Sequence, residues 1–167
     1  MMIDLTPELR KQFLPREEAD NIIHASGVHA ILNQWENRPP DFQAMIRMWN
    51  GTWKHKMVQE LLPQYKHEVK KEVPYKDIIL SGTMDCLAED HGLEIKTSEN
   101  LFDSAKEWHV TQAKLYASMF EVPHIYIVQP VIKNSTLELK RLRRVGRNDE
   151  WFSQTLETLN NYYESTR

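Results

Sequence analysis

The chain has 167 residues, enough for one domain with a full core, and its 21 basic and 24 acidic side chains leave a formal net charge of −3. That balance excludes a generally basic nucleic-acid coat protein, although local basic patches still permit an enzyme that steers nucleic acid. The one cysteine, Cys86, excludes an internal disulfide and a four-cysteine iron–sulfur or zinc site within the chain. Thr6-Pro7-Glu8 reads as a helix start, with Thr6 as cap and Pro7 in the first turn. Ser26 is placed to cap a second helix carrying Val28, Ile31, Leu32 and Trp35, which Arg38-Pro39-Pro40 stops. Asp41 caps a third, with Phe42, Met45, Ile46 and Trp49 at helical spacing. Asn50-Gly51 is expected to break it or nearly so, and another helix then runs from Thr52 to Leu62.

The period then changes. His67 to Val73, Asp77 to Cys86 and Gly92 to Thr97 read as three consecutive strands, with turns at Pro74-Tyr75-Lys76 and Glu89-Asp90-His91. Asp103 or Ser104 caps a helix reaching Phe120. His124 to Ile132 and Leu137 to Val145 form a β-hairpin. Asn148 or Asp149 caps a last helix with Trp151, Phe152, Leu156, Leu159 and Tyr163. The order predicts an α/β fold, a mixed β-sheet flanked by helices, as a single domain over 1–167. Within it, 1–50 form an N-terminal helical part, 51–145 the core and 146–167 a C-terminal helix. No run approaches the roughly 18 apolar residues of a membrane span. The charged segment Met1 to Arg16 has no apolar signal core, so a soluble cytoplasmic protein is expected.

The stretch from Gly82 to Lys96, G-T-M-D-C-L-A-E-D-H-G-L-E-I-K, concentrates the chemistry. Side chains alternate along a strand, so Glu94 and Lys96 share a face while Ile95 turns to the core. If the two runs pair as a hairpin, Asp85 approaches Glu94. Two converging carboxylates make a hard-oxygen site for Mg²⁺ or Mn²⁺, and a lysine beside them can orient water or stabilise developing phosphate charge. Such a trio on a hairpin is also what an ordinary solvated surface provides. On the next helix His109, Gln112 and Tyr116 share one face, with Gln112 and Tyr116 placed to hold a phosphate or a base. His55 is a candidate imidazole ligand and Glu72 a candidate water-mediated one, with Glu68 as a weaker rival. Lys54, Lys56, Lys106 and Lys114 are candidate phosphate contacts. The basic run with Arg143 and Arg144 reads either as a DNA track or as an edge strand guarded by charge.

Assembled in order, these residues resemble the RecB-like branch of the PD-(D/E)XK nuclease superfamily, and among them the phage-type exonucleases similar to exonuclease VIII. The motifs are Gly51 to His55 on a helix, Glu72 on the next strand, Gly82 to Asp85, Glu94 to Lys96, and Gln112 to Tyr116. H-A-S-G-V-H-A-I-L and R-P-P-D-F upstream match that group's N-terminal helices, and the similarity spans residues 24 to 120. The resemblance implies a restriction-endonuclease-like αβββαβ core and a divalent-metal-dependent DNA nuclease. Asp85, Glu94, His55 and the Ile95 carbonyl would bind Mg²⁺ or Mn²⁺, and Lys96 would activate the attacking water. Many relatives carry an iron–sulfur cluster, which this chain cannot. No Walker A motif is present, so a free-standing nuclease or a partnered subunit is implied, in phage or mobile-element recombination or replication. Cleavage from DNA ends is expected, with a homo-oligomer building the channel. Trp151, Phe152, Tyr162 and Tyr163 supply either its interface or ordinary core packing. A junction-resolvase type of endonuclease and a catalytically silent DNA-binding protein are the alternatives on this scaffold.

Overall fold

The computed structural model describes residues 1–13, 19–36, 38–98 and 100–167, so the end of the charged Met1–Arg16 segment lies outside the described residues. Helix α1 (Thr6–Phe13) precedes a short strand β1 (Ile22–His24), a single 3₁₀ turn and helix α2 (Val28–Leu32). Helix α3 (Phe42–Glu60) leads into strands β2 (Lys66–Tyr75), β3 (Ile78–Leu87) and β4 (His91–Ile95). Helix α4 (Glu107–Met119), the hairpin β5 (His124–Lys133) and β6 (Thr136–Gly146), and helix α5 (Asp149–Ser165) complete the order. The sheet is mixed, with helices on its faces, as the sequence pattern predicts.

Burial follows strand position. β2 alternates half-buried Val69, Lys71, Val73 and Tyr75 with exposed neighbours, the pattern of a strand with one covered face. β3 is buried almost throughout, because it pairs on both edges. Along one edge it runs antiparallel to β2 from Ile78 to Leu87. Its other edge is shared. Ile79 to Ser81 pair in parallel with β1, while Cys86 and Leu87 pair antiparallel with β4. β4 continues in parallel to β5, and β5 pairs antiparallel with β6. Between its two partners, β3 opens a fork.

Two apolar clusters hold the layers. Leu80, Met84, Ile125 and Ile127 of the sheet pack against Leu115 and Met119 of α4 and Leu159 of α5. Val58 of α3 packs on Cys86, Leu93, Ile95 and Val128 from the other side. Each fully buried aliphatic side chain of this size contributes about 1.5–3 kcal/mol. Burial also pushes the Cys86 thiol up to about 12, so it is a packing residue.

The structure corrects several boundaries. Asn50-Gly51 does not break the helix: α3 runs unbroken from its cap, where Asp41 accepts from the Ala44 N–H at 2.7 Å. A helical glycine costs about 1 kcal/mol, and packing against the sheet overrides it. The glycine is there for clearance, since a Cβ at Gly51 would lie 2.9 Å from Thr97 Oγ1. α4 starts at Glu107 rather than at Asp103 or Ser104, and Ser26 sits inside the 3₁₀ turn instead of capping α2. β2 extends through Tyr75, which moves the turn to Lys76 and Asp77. Trp151, Phe152 and Tyr163 of α5 pack against the main core, and only Tyr162 of that aromatic set is exposed.

Candidate active site

Where β3 forks, its backbone donors have no strand to meet, and side chains take over the ladder. The Asp85 N–H donates to Glu94 Oε1 at 3.4 Å. The Ile95 N–H donates back to Asp85 Oδ2 at 2.7 Å. One turn earlier in the pleat, the Thr83 N–H donates to the Tyr116 hydroxyl at 3.3 Å. Gly82 makes this approach possible, since a Cβ there would lie 2.5 Å from Tyr116 Cε1. Asp85 and Glu94 are both buried, Glu94 to 2% exposure.

A charged relay leads away from Glu94. Lys96 Nζ donates to Glu94 Oε2 at 3.2 Å and to Gln112 Oε1 at 2.8 Å. Gln112 Nε2 donates to the Tyr116 hydroxyl at 3.1 Å. An ammonium has three N–H bonds, so Lys96 keeps one for a further acceptor. The Tyr116 oxygen receives two donors, which leaves its own proton to give. Burial, then the charge of Glu94, raises the Tyr116 pKa, so that proton is held at neutral pH. Burial, and next the charge of Asp85, pushes the Glu94 carboxyl up to about 8, with Lys96 pulling the other way.

α3 contributes from one face. Gly51, His55 and Gln59 recur every four residues, so they form a single stripe. His55 Nδ1 lies 3.6 Å from Asp85 Oδ1. Gln59 is buried and donates to both the Asp85 carbonyl and Glu68 Oε1, each at 2.8 Å. Gln59 was not singled out from the sequence, although the i, i+4, i+8 spacing from Gly51 carried the signal.

Of the residues expected at the site, Asp85, Glu94, Ile95, Lys96, Gln112, Tyr116 and His55 are brought together. Glu72 is not. It stands opposite Ser81 and pairs with Lys70 at 3.0 Å, whereas Glu68 reaches the cluster through Gln59. Glu68 adopts a left-handed φ of 50° within the otherwise regular β2. Lys54 lines a shallow recess beside the site with Arg47 and Thr97. Lys56 is exposed, its ammonium over the Trp53 ring. Lys106 precedes α4 and stands over Phe102. Lys114 points the other way, 5.2 Å from the centre of the Trp151 ring. Arg143 and Arg144 are exposed on β6, with β5 lying between them and Glu94.

The donor chemistry fits a hard divalent cation. Two carboxylates converge, and their mutual repulsion is what a cation relieves. Among the described residues no three His, Cys, Asp or Glu side chains form a ready-made cage. A metal held here would therefore draw on the Ile95 carbonyl and water to complete its oxygen shell.

No protein-family model matches the chain, and no curated protein matches it significantly. Solved structures do. A protein designated SSO0001 superposes with a TM-score of 0.63 at 14% identity, covering 98% of this chain and 85% of its own. An alkaline exonuclease from Laribacter hongkongensis gives 0.61 at 11% identity, covering 95% and 91%, and its complex with dAMP gives 0.59 at 12%, covering 86% of each. At this level of identity the likeness speaks for the fold alone: the mixed sheet flanked by helices is shared with these structures.

Proposed function

We propose that this chain is a divalent-metal-dependent DNA nuclease that hydrolyses phosphodiester bonds from DNA ends. One observation carries the reading: two buried carboxylates at a strand fork share a hydrogen-bonded network with Lys96, Gln112 and Tyr116. Burying an acid pair beside one lysine costs stability, and packing gains nothing from it. The likeness to an alkaline exonuclease, and to its complex with dAMP, supports DNA as the substrate class. A role in phage or mobile-element recombination or replication, with a homo-oligomer at work, rests on the sequence motifs alone.

Asp85, Glu94 and the Ile95 carbonyl would hold Mg²⁺ or Mn²⁺ in this reading, with His55 as a further candidate ligand. When bound, the cation polarises the scissile phosphate and stabilises charge on the leaving oxygen. Lys96 points its third N–H at the attacking water or at a non-bridging oxygen. Gln112 fixes Lys96 from behind, so the ammonium is held before substrate arrives. Tyr116 donates its proton to a phosphate oxygen and thereby sets the strand in line. Glu72 has no part in this arrangement, and Glu68 acts only through Gln59. The deciding experiment follows labelled linear and covalently closed circular DNA with Mg²⁺, Mn²⁺ or EDTA. Metal-dependent loss of the linear form is the expected outcome. No hydrolysis under any of these conditions would overturn the reading.

A further inference from the structure

Beside the carboxylates, on the His55 side of Lys96, lies a cavity of about 530 Å³. Its walls come from several elements: Phe13 of α1, Arg47 and Thr52 of α3, Lys96 after β4, Phe102, and His109 of α4. The volume suits a small organic ligand, and the walls combine aromatic surface with a few polar groups. Three features set it apart from a packing defect. Arg47 is exposed and forms no ion pair among the described residues, so its charge is uncommitted. His109 Nδ1 is the buried side-chain atom without a hydrogen-bond partner among the described residues, a cost that packing alone does not explain. Finally, α3 approaches closely enough to need Gly51 against Thr97, and both line the cavity.

We propose that this cavity is a nucleoside pocket, seating the nucleotide next to the scissile phosphate, with Phe102 and His109 against the base and Arg47 on the adjoining phosphate. The inference rests on the nuclease reading above and names the subsite that reading lacks. The assignment of groups follows their charge. Burial, then Lys96 and Lys106, holds the His109 pKa down to about 4, so the ring is neutral at working pH. A neutral imidazole suits an uncharged base edge and gains little from a phosphate. Arg47 suits the phosphate, as a planar fork of donors. Thr52 sits on the same wall, one turn along from Met48, whose carbonyl takes its hydroxyl proton at 3.1 Å. Its oxygen is left to accept from a sugar hydroxyl or a base amine.

The test is calorimetric titration of the metal-free protein with 2′-deoxyadenosine 5′-monophosphate and with 2-deoxyribose 5-phosphate. The wild type should bind the nucleotide at least tenfold more tightly than the sugar phosphate. His109→Phe keeps an aromatic ring of similar bulk and should erase most of that preference. Arg47→Ala, an exposed site that leaves folding intact, should weaken both ligands together. Equal binding of the two ligands by the wild type, or an unchanged preference in folded His109→Phe, would overturn the pocket. If His109→Phe does not fold, Arg47→Ala decides the matter: unchanged affinity for both ligands overturns the proposal. Binding is read without cleavage. An inactive protein that still prefers the nucleotide removes the nuclease reading and leaves the pocket standing.

Discussion

The Ile95 N–H donates to the Asp85 carboxylate at 2.7 Å, so a candidate metal ligand is also a strand-pairing partner. The Asp85 N–H in turn reaches Glu94, and β3 and β4 are stitched at the fork by their own acids. Replacing Asp85 with Asn keeps an acceptor for Ile95 and removes the charge. Asp85→Asn is therefore the cleaner variant, and it should lose at least about a thousandfold in cleavage while remaining folded. Asp85→Ala should lose activity too and also orphan a buried N–H, at about 1–3 kcal/mol. Comparing thermal midpoints of the two variants in EDTA separates the roles. Wild-type cleavage by Asp85→Asn would remove this residue from the site.

Glu94 contributes a distinctive part of the pH dependence of the metal-free protein's stability. Its folded pKa of about 8 stands above the ordinary carboxylate value of 4.5, so the folded state holds a proton that the unfolded chain has released. Between those values the folded form binds more protons, and stability falls as pH rises. Denaturant midpoints measured in EDTA should drop from about pH 6.5 to pH 8; below that range His109, held down to about 4 from its ordinary 6.5, works in the opposite direction. Glu94→Gln should flatten that slope. A slope equal to wild type in this variant would assign the effect elsewhere.

Lys96 is not a ligand, so its loss should spare the metal. Lys96→Met keeps the aliphatic stem and removes the ammonium from Glu94 and Gln112. Turnover should fall by about 10²–10³-fold, the usual cost of losing one preorganised charge donor. Titration of Mn²⁺ should still show binding. A folded variant that binds no Mn²⁺ would reassign Lys96 to the metal shell.

His55 and His91 make a matched pair. His55 faces Asp85, whereas His91 begins β4 and is tied to Tyr65 and Asp90 at 2.8 and 2.7 Å. His55→Ala should cut the cleavage rate by orders of magnitude and shift the preference between Mg²⁺ and Mn²⁺. His91→Ala should keep the rate and lose thermal stability instead. Equal damage to catalysis from both would discard the helix-borne ligand.

Gln59 should behave as a positioning residue. Gln59→Leu removes the donor that serves the Asp85 carbonyl and Glu68, at about 1–3 kcal/mol of stability for a buried polar group left unpaired. Cleavage should fall through kcat with KM little changed, because no substrate contact is lost. A change confined to KM would instead place Gln59 in contact with DNA.

The sequence was most legible where chemistry and periodicity coincide. Asp85 and Glu94 sit on strands whose alternation is visible, and the hairpin brought them together as expected. Gln112 and Tyr116 followed from helical spacing. What could not be read depended on distant partners. β1 is three residues long and exists only because β3 leaves it an edge. The need for glycine at 51 comes from Thr97, forty-six residues away in the chain, whereas local propensity reads the same glycine as a helix break. Glu72 stands away from the cluster because it pairs opposite Ser81, four residues along β3 from Asp85, a register that only the paired strands fix. Arg47 belongs to no motif, and only the packing of α3 beside β4 gives it a cavity to face.

The narrow clearance between Gly82 and the Tyr116 ring makes that position a wedge point. A methyl group there has nowhere to go, because Tyr116 Cε1 already fills the space at 2.5 Å and Ala25 and Met119 close the sides at 3.3 Å. The ring must swing out, and its hydroxyl then leaves Thr83 and Gln112 together. Gln112 loses its anchor and Lys96 loses the partner that aims it. Gly82→Ala would thus disarm the site by displacement alone, with every charged group still in the chain.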